Sequence, residues 1–142
     1  MKKLFILSIF FLLLMVFTTT VNATAESELS PMFIALKTHA NSLDIEGSVA
    51  TCTGFATCSD SYSVRISLYL EIYSNNRWTA VNSWNGSKDI YSNVNKTATV
   101  TTGNLYRVRS VATVYDENNK IVESPVVYSK VVGNWLYLWN LL

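Results

Sequence analysis

Side chains that commonly perform catalysis or bind metals are scarce in this 142-residue sequence. It has one histidine, His39, and two cysteines, Cys52 and Cys58. His39 could act as a general base, but no serine and carboxylate stand near it with the spacing of a catalytic triad. A zinc site needs four ligands, and His39 is the only imidazole that could join the two thiolates. We therefore expect no catalytic residue, no metal site and no cofactor, which disfavours the alternative of a small secreted hydrolase.

Oxygen-bearing side chains occur at two places where calcium binding or proton transfer is conceivable. Asp44 and Glu46 are two residues apart, so they would project from the same face of a strand. Paired carboxylates can bind calcium or act as acid and base, but on an alternating strand they are more typical of the solvent face. Residues 116–119 lack the spacing and the glycine of known calcium loops, which favours an ordinary hairpin loop.

Arg107 and Arg109 also lie two residues apart and could together meet an anionic ligand. Cross-strand pairing on a solvated strand face is the interpretation that we favour for them. The formal net charge is only +1. Such a balance argues against a nucleic-acid partner, because proteins that bind nucleic acids usually concentrate basic residues on one face.

Aromatic side chains are the strongest candidates for ligand binding. Tyr69 and Tyr73 alternate with the aliphatic residues of their segment, and Trp78 and Trp84 follow in the next one. If both tryptophans also point outward, the four rings form a strip that could stack on sugars or anchor a protein. The opposing interpretation, which we favour, is that Trp78 or Trp84 fills a core with few other large residues.

Period-two alternation of apolar and polar residues dominates the chain from residue 32 onwards, and we find no convincing helical periodicity. The clearest example is 63–73, where five aliphatic residues share one face. The pattern predicts about seven strands, and antiparallel packing of two sheets would bury one face of each. The predicted strands are 32–39, 43–52, 63–73, 77–84, 94–101, 105–115 and 121–132.

Turn-forming residues separate these predicted strands. We expect a connection at residues 40–42, a bulge or bend at Gly47, and a turn at Asn75-Asn76 that tolerates positive φ. The faces of the 77–84 strand conflict, and a bulge would reconcile them. Pro125 implies an edge, a bulge or a break in the last strand, because proline has no N–H for the ladder.

The first 23 residues have the three parts of a secretory signal peptide. Two lysines precede an apolar run, and small residues end at Ala23. An uncleaved anchor is the alternative, but the run is shorter than the ~20 residues that span a bilayer. We expect a secreted protein associated with the cell envelope, and we predict a Cys52–Cys58 disulfide because an oxidising compartment permits one.

The C-terminal tail, residues 133–142, is apolar and has no charged side chain. Trp135, Tyr137 and Trp139 would share one face of an extended chain and could contact a partner or a membrane surface. The tail could add a strand to a sheet edge, touch a membrane, or be an extension that favours self-association. The predicted organisation is a signal peptide at 1–23, a linker at 24–30, a sandwich at 31–132 and this tail.

Several stretches carry a resemblance to a known group of proteins: residues 42–47 with 50–52, residues 68–73 with Trp78, Val81 and Trp84, residues 103–108, and residues 114–116 with 121–124. They resemble small exported Gram-positive proteins that contain a domain of unknown function. The resemblance implies a single fibronectin-III or immunoglobulin-like module with no established activity. Tyr106 stands where such sandwiches have their tyrosine corner.

These observations favour a non-enzymatic binding or adhesion module that acts at or outside the cell envelope. The expected partner is a wall polysaccharide or a surface protein, and peripheral membrane contact through the tail is a further possibility. The main alternative is a secreted structural protein that self-associates through residues 133–142.

Overall fold

A computed structural model describes residues 33–133 and has an all-β fold of antiparallel strands. No helix in the described range is long and apolar enough to cross a membrane. The predicted signal peptide and linker lie outside the described residues. Nine strands follow one another along the chain: β1 (Leu36–Glu46), β2 (Val49–Cys58), β3 (Ser63–Ser74), β4 (Arg77–Asn85), β5 (Tyr91–Thr99), β6 (Leu105–Tyr115), β7 (Ile121–Glu123), β8 (Val126–Tyr128) and β9 (Val132–Gly133).

The strands form two sheets, as the sequence predicts for an antiparallel β-sandwich. Sheet A has the order β1-β2-β5, and sheet B has the order β4-β3-β6 with β7, β8 and β9 paired in turn along β6. The count is nine rather than about seven because the predicted strand 121–132 is three short strands. Pro125 lies between β7 and β8, where its carbonyl accepts a hydrogen bond from Ala112 N at 3.1 Å.

The core lies between the sheets and follows the predicted alternation of β3. Val64, Ile66, Leu68 and Leu70 are fully buried and face small residues of β2. A Cβ built on Gly54, in the middle of β2, would lie 2.6 Å from Cδ2 of Leu68. Because Gly54 has no side chain, the two sheets can approach closely at the position where Leu68 packs against β2.

The connection between the first two strands lies at a different place from the predicted one. Residues 40–42 continue β1, and the turn is Gly47-Ser48, with Gly47 at φ +58°. The prediction of a turn at 40–42 is wrong because Asn41 has polar partners inside the fold. Its Nδ2 donates to Ser110 Oγ at 2.6 Å and to the Val127 carbonyl at 2.9 Å.

The predicted Cys52–Cys58 disulfide is absent, and both thiols are free and buried. The residues between the cysteines belong to β2 and do not form a loop. Six residues of extended strand separate the two Cα atoms by about 20 Å. A disulfide requires Cα atoms within roughly 4.4–6.8 Å, so this pair cannot form one without loss of the strand.

Two predicted local features are confirmed. Asn75 and Asn76 have φ of 51° and 60° in the turn before β4. The register of β4 on β3 shifts between Leu70 and Glu71, which leaves Val81 as the extra residue of a bulge. This bulge places the two tryptophans of β4 on opposite faces of sheet B.

Tyr106 anchors the start of β6 in the way expected of a tyrosine corner. Its ring is buried, and its hydroxyl accepts from Thr101 N at 3.0 Å and donates to the Thr101 carbonyl at 3.2 Å. The residue therefore closes the loop between β5 and β6, which is a structural role.

Candidate functional site

The outer face of sheet B brings aromatic and charged side chains together. The pairing of β3 with β6 places Tyr69 opposite Arg109 and Glu71 opposite Arg107. On the other side of β3, Tyr73 is opposite Trp78 of β4. Directly opposed residues of neighbouring strands point to the same face of a sheet, so all of these side chains meet on one surface.

Glu71 is the centre of this surface, although it lies on the outward face of β3. Only 5% of the residue is exposed. Its Oε2 accepts from Arg107 Nε at 2.8 Å, and its Oε1 accepts from Arg109 Nε at 2.7 Å. A buried carboxylate needs such charged partners, and the two arginines lie over it and exclude water.

The two guanidinium groups also contact aromatic rings. Arg107 Cζ lies 4.3 Å from the ring centroid of Trp78 and 4.2 Å from that of Tyr128. Arg109 Cζ lies 4.0 Å from the ring centroid of Tyr69. These distances are those of cation–π contacts, which contribute about 0.5–2 kcal/mol each depending on exposure.

We call this surface the arginine–aromatic strip. Its members share the outer face of sheet B and contact one another: Tyr69, Glu71, Tyr73, Trp78, Arg107, Arg109 and Tyr128. Tyr73 and Trp78 close one end, with ring centroids 5.2 Å apart at an interplanar angle of 50°. The side chains are therefore fixed by one another before any ligand arrives.

Trp84 does not belong to the strip. It is opposite Leu68 in β4 and packs in part against the core. The sequence has Trp78 and Trp84 six residues apart, which would place them on the same face of a regular strand. The bulge at Val81 reverses that relation, so Tyr69, Tyr73 and Trp78 meet outside while Trp84 lies on the inner side.

Four members of the strip are not among the predicted ligand-binding residues: Glu71, Tyr128 and the two arginines, for which the sequence favours cross-strand pairing. The sequence does contain a signal for Glu71, since an acidic residue alternates with Tyr69 and Tyr73 while two arginines alternate in another strand. Tyr128 has no such signal. Its place opposite Arg109 depends on the break at Pro125, which starts β8 in a new register on β6.

His39 lies at the seam where β1 of sheet A approaches β6 of sheet B. Its Nε2 is 2.8 Å from Oγ of Ser110, a pairing that the sequence did not indicate. Ser110 is fully buried, and His39 Nδ1 has no hydrogen-bond partner among residues 33–133. The contact joins β1 to β6 across the seam, and the hydrogen bonds of the described residues include none from a carboxylate to the His39 ring. Burial lowers the pKa of His39 below its ordinary value.

The predicted carboxylate sites take ordinary positions. Asp44 and Glu46 are exposed on the outer face of sheet A, opposite Thr51 and Val49. In the hairpin loop, Asp116 Oδ1 accepts from Asn118 N at 2.9 Å and Lys120 N at 2.8 Å, and so shapes the turn. Between residues 33 and 133, no three His, Cys, Asp or Glu side chains are grouped to hold a metal ion.

The predicted contact residues of the tail, Trp135, Tyr137 and Trp139, lie outside the described residues. The first tail residue, Gly133, belongs to β9, which pairs with Leu105 and Tyr106 of β6. The chain therefore reaches the tail along sheet B, next to the end of the strip that Tyr73 and Trp78 close.

No protein-family model matches this chain, and neither a curated protein nor a solved structure is significantly similar to it. The resemblance to exported Gram-positive proteins therefore stays a prediction. The functional argument depends on the fold and on the chemistry of the strip.

Proposed function

We propose that this protein is an exported, non-enzymatic binding module that uses the arginine–aromatic strip to attach to the cell envelope. The signal-like first 23 residues support export. The observation that carries the proposal is the strip itself, in which two arginines share one buried carboxylate and three rings hold the guanidinium groups. Aromatic and arginine side chains dominate binding energy at protein surfaces, above all when they are pre-ordered.

We further propose that the module is of the fibronectin-III or immunoglobulin type. A three-stranded sheet β1-β2-β5 packed on a sheet with the central order β4-β3-β6 supports this assignment. The hydrogen bonds of Tyr106 to Thr101 support it as well, because tyrosine corners recur in such sandwiches. These modules commonly act in recognition, although the fold by itself implies no ligand.

The expected partner is a wall polysaccharide. The full chain, released from an expressing Gram-positive host, should be retained by purified wall sacculi and eluted by competing soluble wall fragments. A variant with Tyr69→Ala and Trp78→Ala should lose most of this retention, because it removes one ring from each of the two guanidinium groups.

The matched control changes two aromatic residues on the outer face of sheet A. Phe55 and Tyr91 are 39% and 50% exposed, and a variant with Phe55→Ala and Tyr91→Ala should be retained like the wild type. Circular dichroism checks that both variants are folded. Equal retention of the two variants, or no retention of the wild type, would show that the strip is not an envelope-binding surface.

A second candidate function is self-association through residues 133–142. It is supported by β9, since Val132 and Gly133, the first residue of the tail, pair with β6 in sheet B. A chain that ends after Gly133 keeps β9 and lacks the rest of the tail. Sedimentation of this shortened chain should show a monomer if the tail drives assembly, and an unchanged oligomer contradicts this candidate.

A further inference from the structure

Three rings of the strip have one face engaged by a guanidinium group, which narrows the chemistry of a ligand. Trp78 and Tyr128 lie against Arg107, and Tyr69 lies against Arg109. Trp78 also contacts Tyr73. A neutral sugar binds aromatic residues by stacking on an open ring face, and the faces turned to Arg107 and Arg109 are closed to it. The strip therefore favours a ligand that also binds the two arginines.

Hydrogen-bond donors, by contrast, remain available. Arginine has five N–H donors, and Arg107 and Arg109 each use the Nε donor on Glu71. Neither arginine donates an Nη hydrogen to any group in the range 33–133. Both side chains retain some exposure, 21% and 26%, whereas that of Glu71 is only 7% exposed.

The charge of the strip also points to an anion. Two guanidinium groups share one carboxylate, which leaves an excess of one positive charge on a surface with fixed geometry. The outer face of sheet A differs, because Asp44 and Glu46 are its charged residues in the rows from Glu46 to Ala40. An anionic partner would therefore be attracted to sheet B and not to sheet A.

We infer that the envelope ligand is a phosphate-bearing polymer and that its phosphate groups bind the Nη edges of Arg107 and Arg109. A planar carboxylate fits one guanidinium fork well. The oxygens of a tetrahedral phosphate point in more directions and can accept from two neighbouring guanidinium groups. Since both arginines bind the two oxygens of one carboxylate, their guanidinium groups lie close together, and their Nη donors are free of Glu71. This inference rests on the proposed function, because it names the ligand class of the same surface.

Long-chain inorganic polyphosphate is the probe for this site, with poly-L-glutamate as the carboxylate comparison. Titration calorimetry on the full chain should show binding of polyphosphate that weakens as salt is raised. A variant with Arg107→Lys and Arg109→Lys keeps the charge and can still pair with Glu71, but it lacks the Nη forks. Its Kd for polyphosphate should rise roughly tenfold or more.

Arg65→Lys is the matched control. Arg65 is an exposed residue of β3 opposite Thr113, and it makes no side-chain hydrogen bond or ion pair within residues 33–133. This variant should bind polyphosphate with the wild-type Kd. The inference is overturned if the double lysine variant also binds like the wild type, if poly-L-glutamate binds as tightly as polyphosphate, or if polyphosphate does not bind.

A measurement on the wild type keeps the test valid if the double variant does not fold. In NMR spectra, polyphosphate should shift the side-chain Nε–Hε signals of Arg107 and Arg109 in a saturable manner and leave that of Arg65 in place. Equal shifts at all three arginines, or no shift, contradict a specific phosphate site.

The two proposals can fail separately. Strip-dependent wall retention without polyphosphate binding overturns the phosphate assignment and leaves the binding module in place. Polyphosphate binding at Arg107 and Arg109, combined with wall retention that is independent of the strip, overturns the envelope module and leaves an anion site.

Discussion

The outer faces of the two antiparallel sheets differ in how their side chains are connected. Sheet A presents mainly Ser, Thr and Asn side chains in cross-strand rows, together with two carboxylates and Phe55: Glu46–Val49–Thr99, Asp44–Thr51–Thr97, Ser42–Thr53–Asn95 and Ala40–Phe55–Asn93. None of these residues is Lys or Arg. Within these rows, the side-chain hydrogen bond is that between Ser42 and Thr53, at 2.6 Å.

On sheet B, each large side chain of the strip contacts at least one other, and Arg107 contacts three. Side chains that are already ordered lose little conformational entropy when a ligand binds. The comparison therefore teaches that long, flexible residues such as arginine become suitable binding groups when a buried partner holds them. The short side chains of sheet A have little conformational freedom to lose, but they also offer a ligand less contact area and fewer hydrogen-bond donors than an arginine.

The largest difference in stability effect between the two faces is expected when a carboxylate is replaced on each. Glu71→Gln leaves two guanidinium groups without their counter-charge, and it should lower the free energy of unfolding by about 2–3 kcal/mol. Asp44→Asn on sheet A should change it by less than about 0.5 kcal/mol. Urea unfolding of both variants measures the difference, and equal values would abolish the distinction between the faces.

Aromatic residues should show the same contrast at a smaller scale. Trp78→Ala removes contacts with Arg107 and Tyr73 and should cost about 1–2 kcal/mol of unfolding free energy. Phe55→Ala, at a residue 39% exposed on sheet A, should cost less than about 1 kcal/mol. A Phe55 variant that is destabilised more than the Trp78 variant would contradict the proposed network.

Acid should destabilise the protein through Glu123 in the edge strand β7, and not through the outer face of either sheet. Burial alone would raise the pKa of Glu123, but N–H groups of Ala35, Leu36 and Ile34 bind its carboxylate and lower the pKa below the ordinary 4.5. The resulting stability is complete above the ordinary pKa and is lost as pH falls through the lowered one.

Glu123→Gln should therefore lower the unfolding free energy by about 1 kcal/mol at neutral pH and by progressively less in acid. Glu46→Gln is the control, because Glu46 is exposed on sheet A and makes no side-chain hydrogen bond in the described range. When the unfolding free energy is measured from pH 7 to pH 2, the Glu46→Gln variant should follow the wild-type curve and the Glu123→Gln variant should not. Parallel curves for all three proteins would exclude a role of Glu123 in acid sensitivity.

The smallest effect is expected for the threonines of sheet A. Thr51 and Thr97 are direct cross-strand neighbours, and neither side chain donates to another described residue. Exchange of both for valine should change the unfolding free energy by less than about 0.5 kcal/mol. A loss above 1.5 kcal/mol in thermal or urea unfolding would reveal a network on sheet A that its contacts do not suggest.

Local pattern was sufficient to predict the face on which a residue lies when its strand is regular. The alternation of β3 correctly separates Ile66 and Leu68 from Tyr69, and the position of Val81 on the face opposite the tryptophans of its segment correctly indicates a bulge. Both predictions depend on neighbouring residues, because the period of a strand is a local property.

The errors and omissions share a different cause, namely contacts between distant residues. Asn41 was assigned to a turn because its partners, Ser110 and Val127, are 69 and 86 residues further along the chain. Likewise, the burial of Glu71 requires Arg107, which is 36 residues away. A single sequence gives no direct sign of such pairings, so the sequence groups Tyr69, Tyr73 and Trp78 but does not connect them with the other four members of the strip.

The position of Cys52 and Cys58 on one buried strand has a consequence for the folding of the chain. Because no covalent link is needed, the native state should form equally well with or without an oxidant. Burial raises the pKa of the Cys52 thiol to about 11, so the reactive thiolate is rare at neutral pH while the sandwich is closed. Modification of either thiol by a reagent thus requires separation of the two sheets, and its rate reports how often the closed sandwich opens.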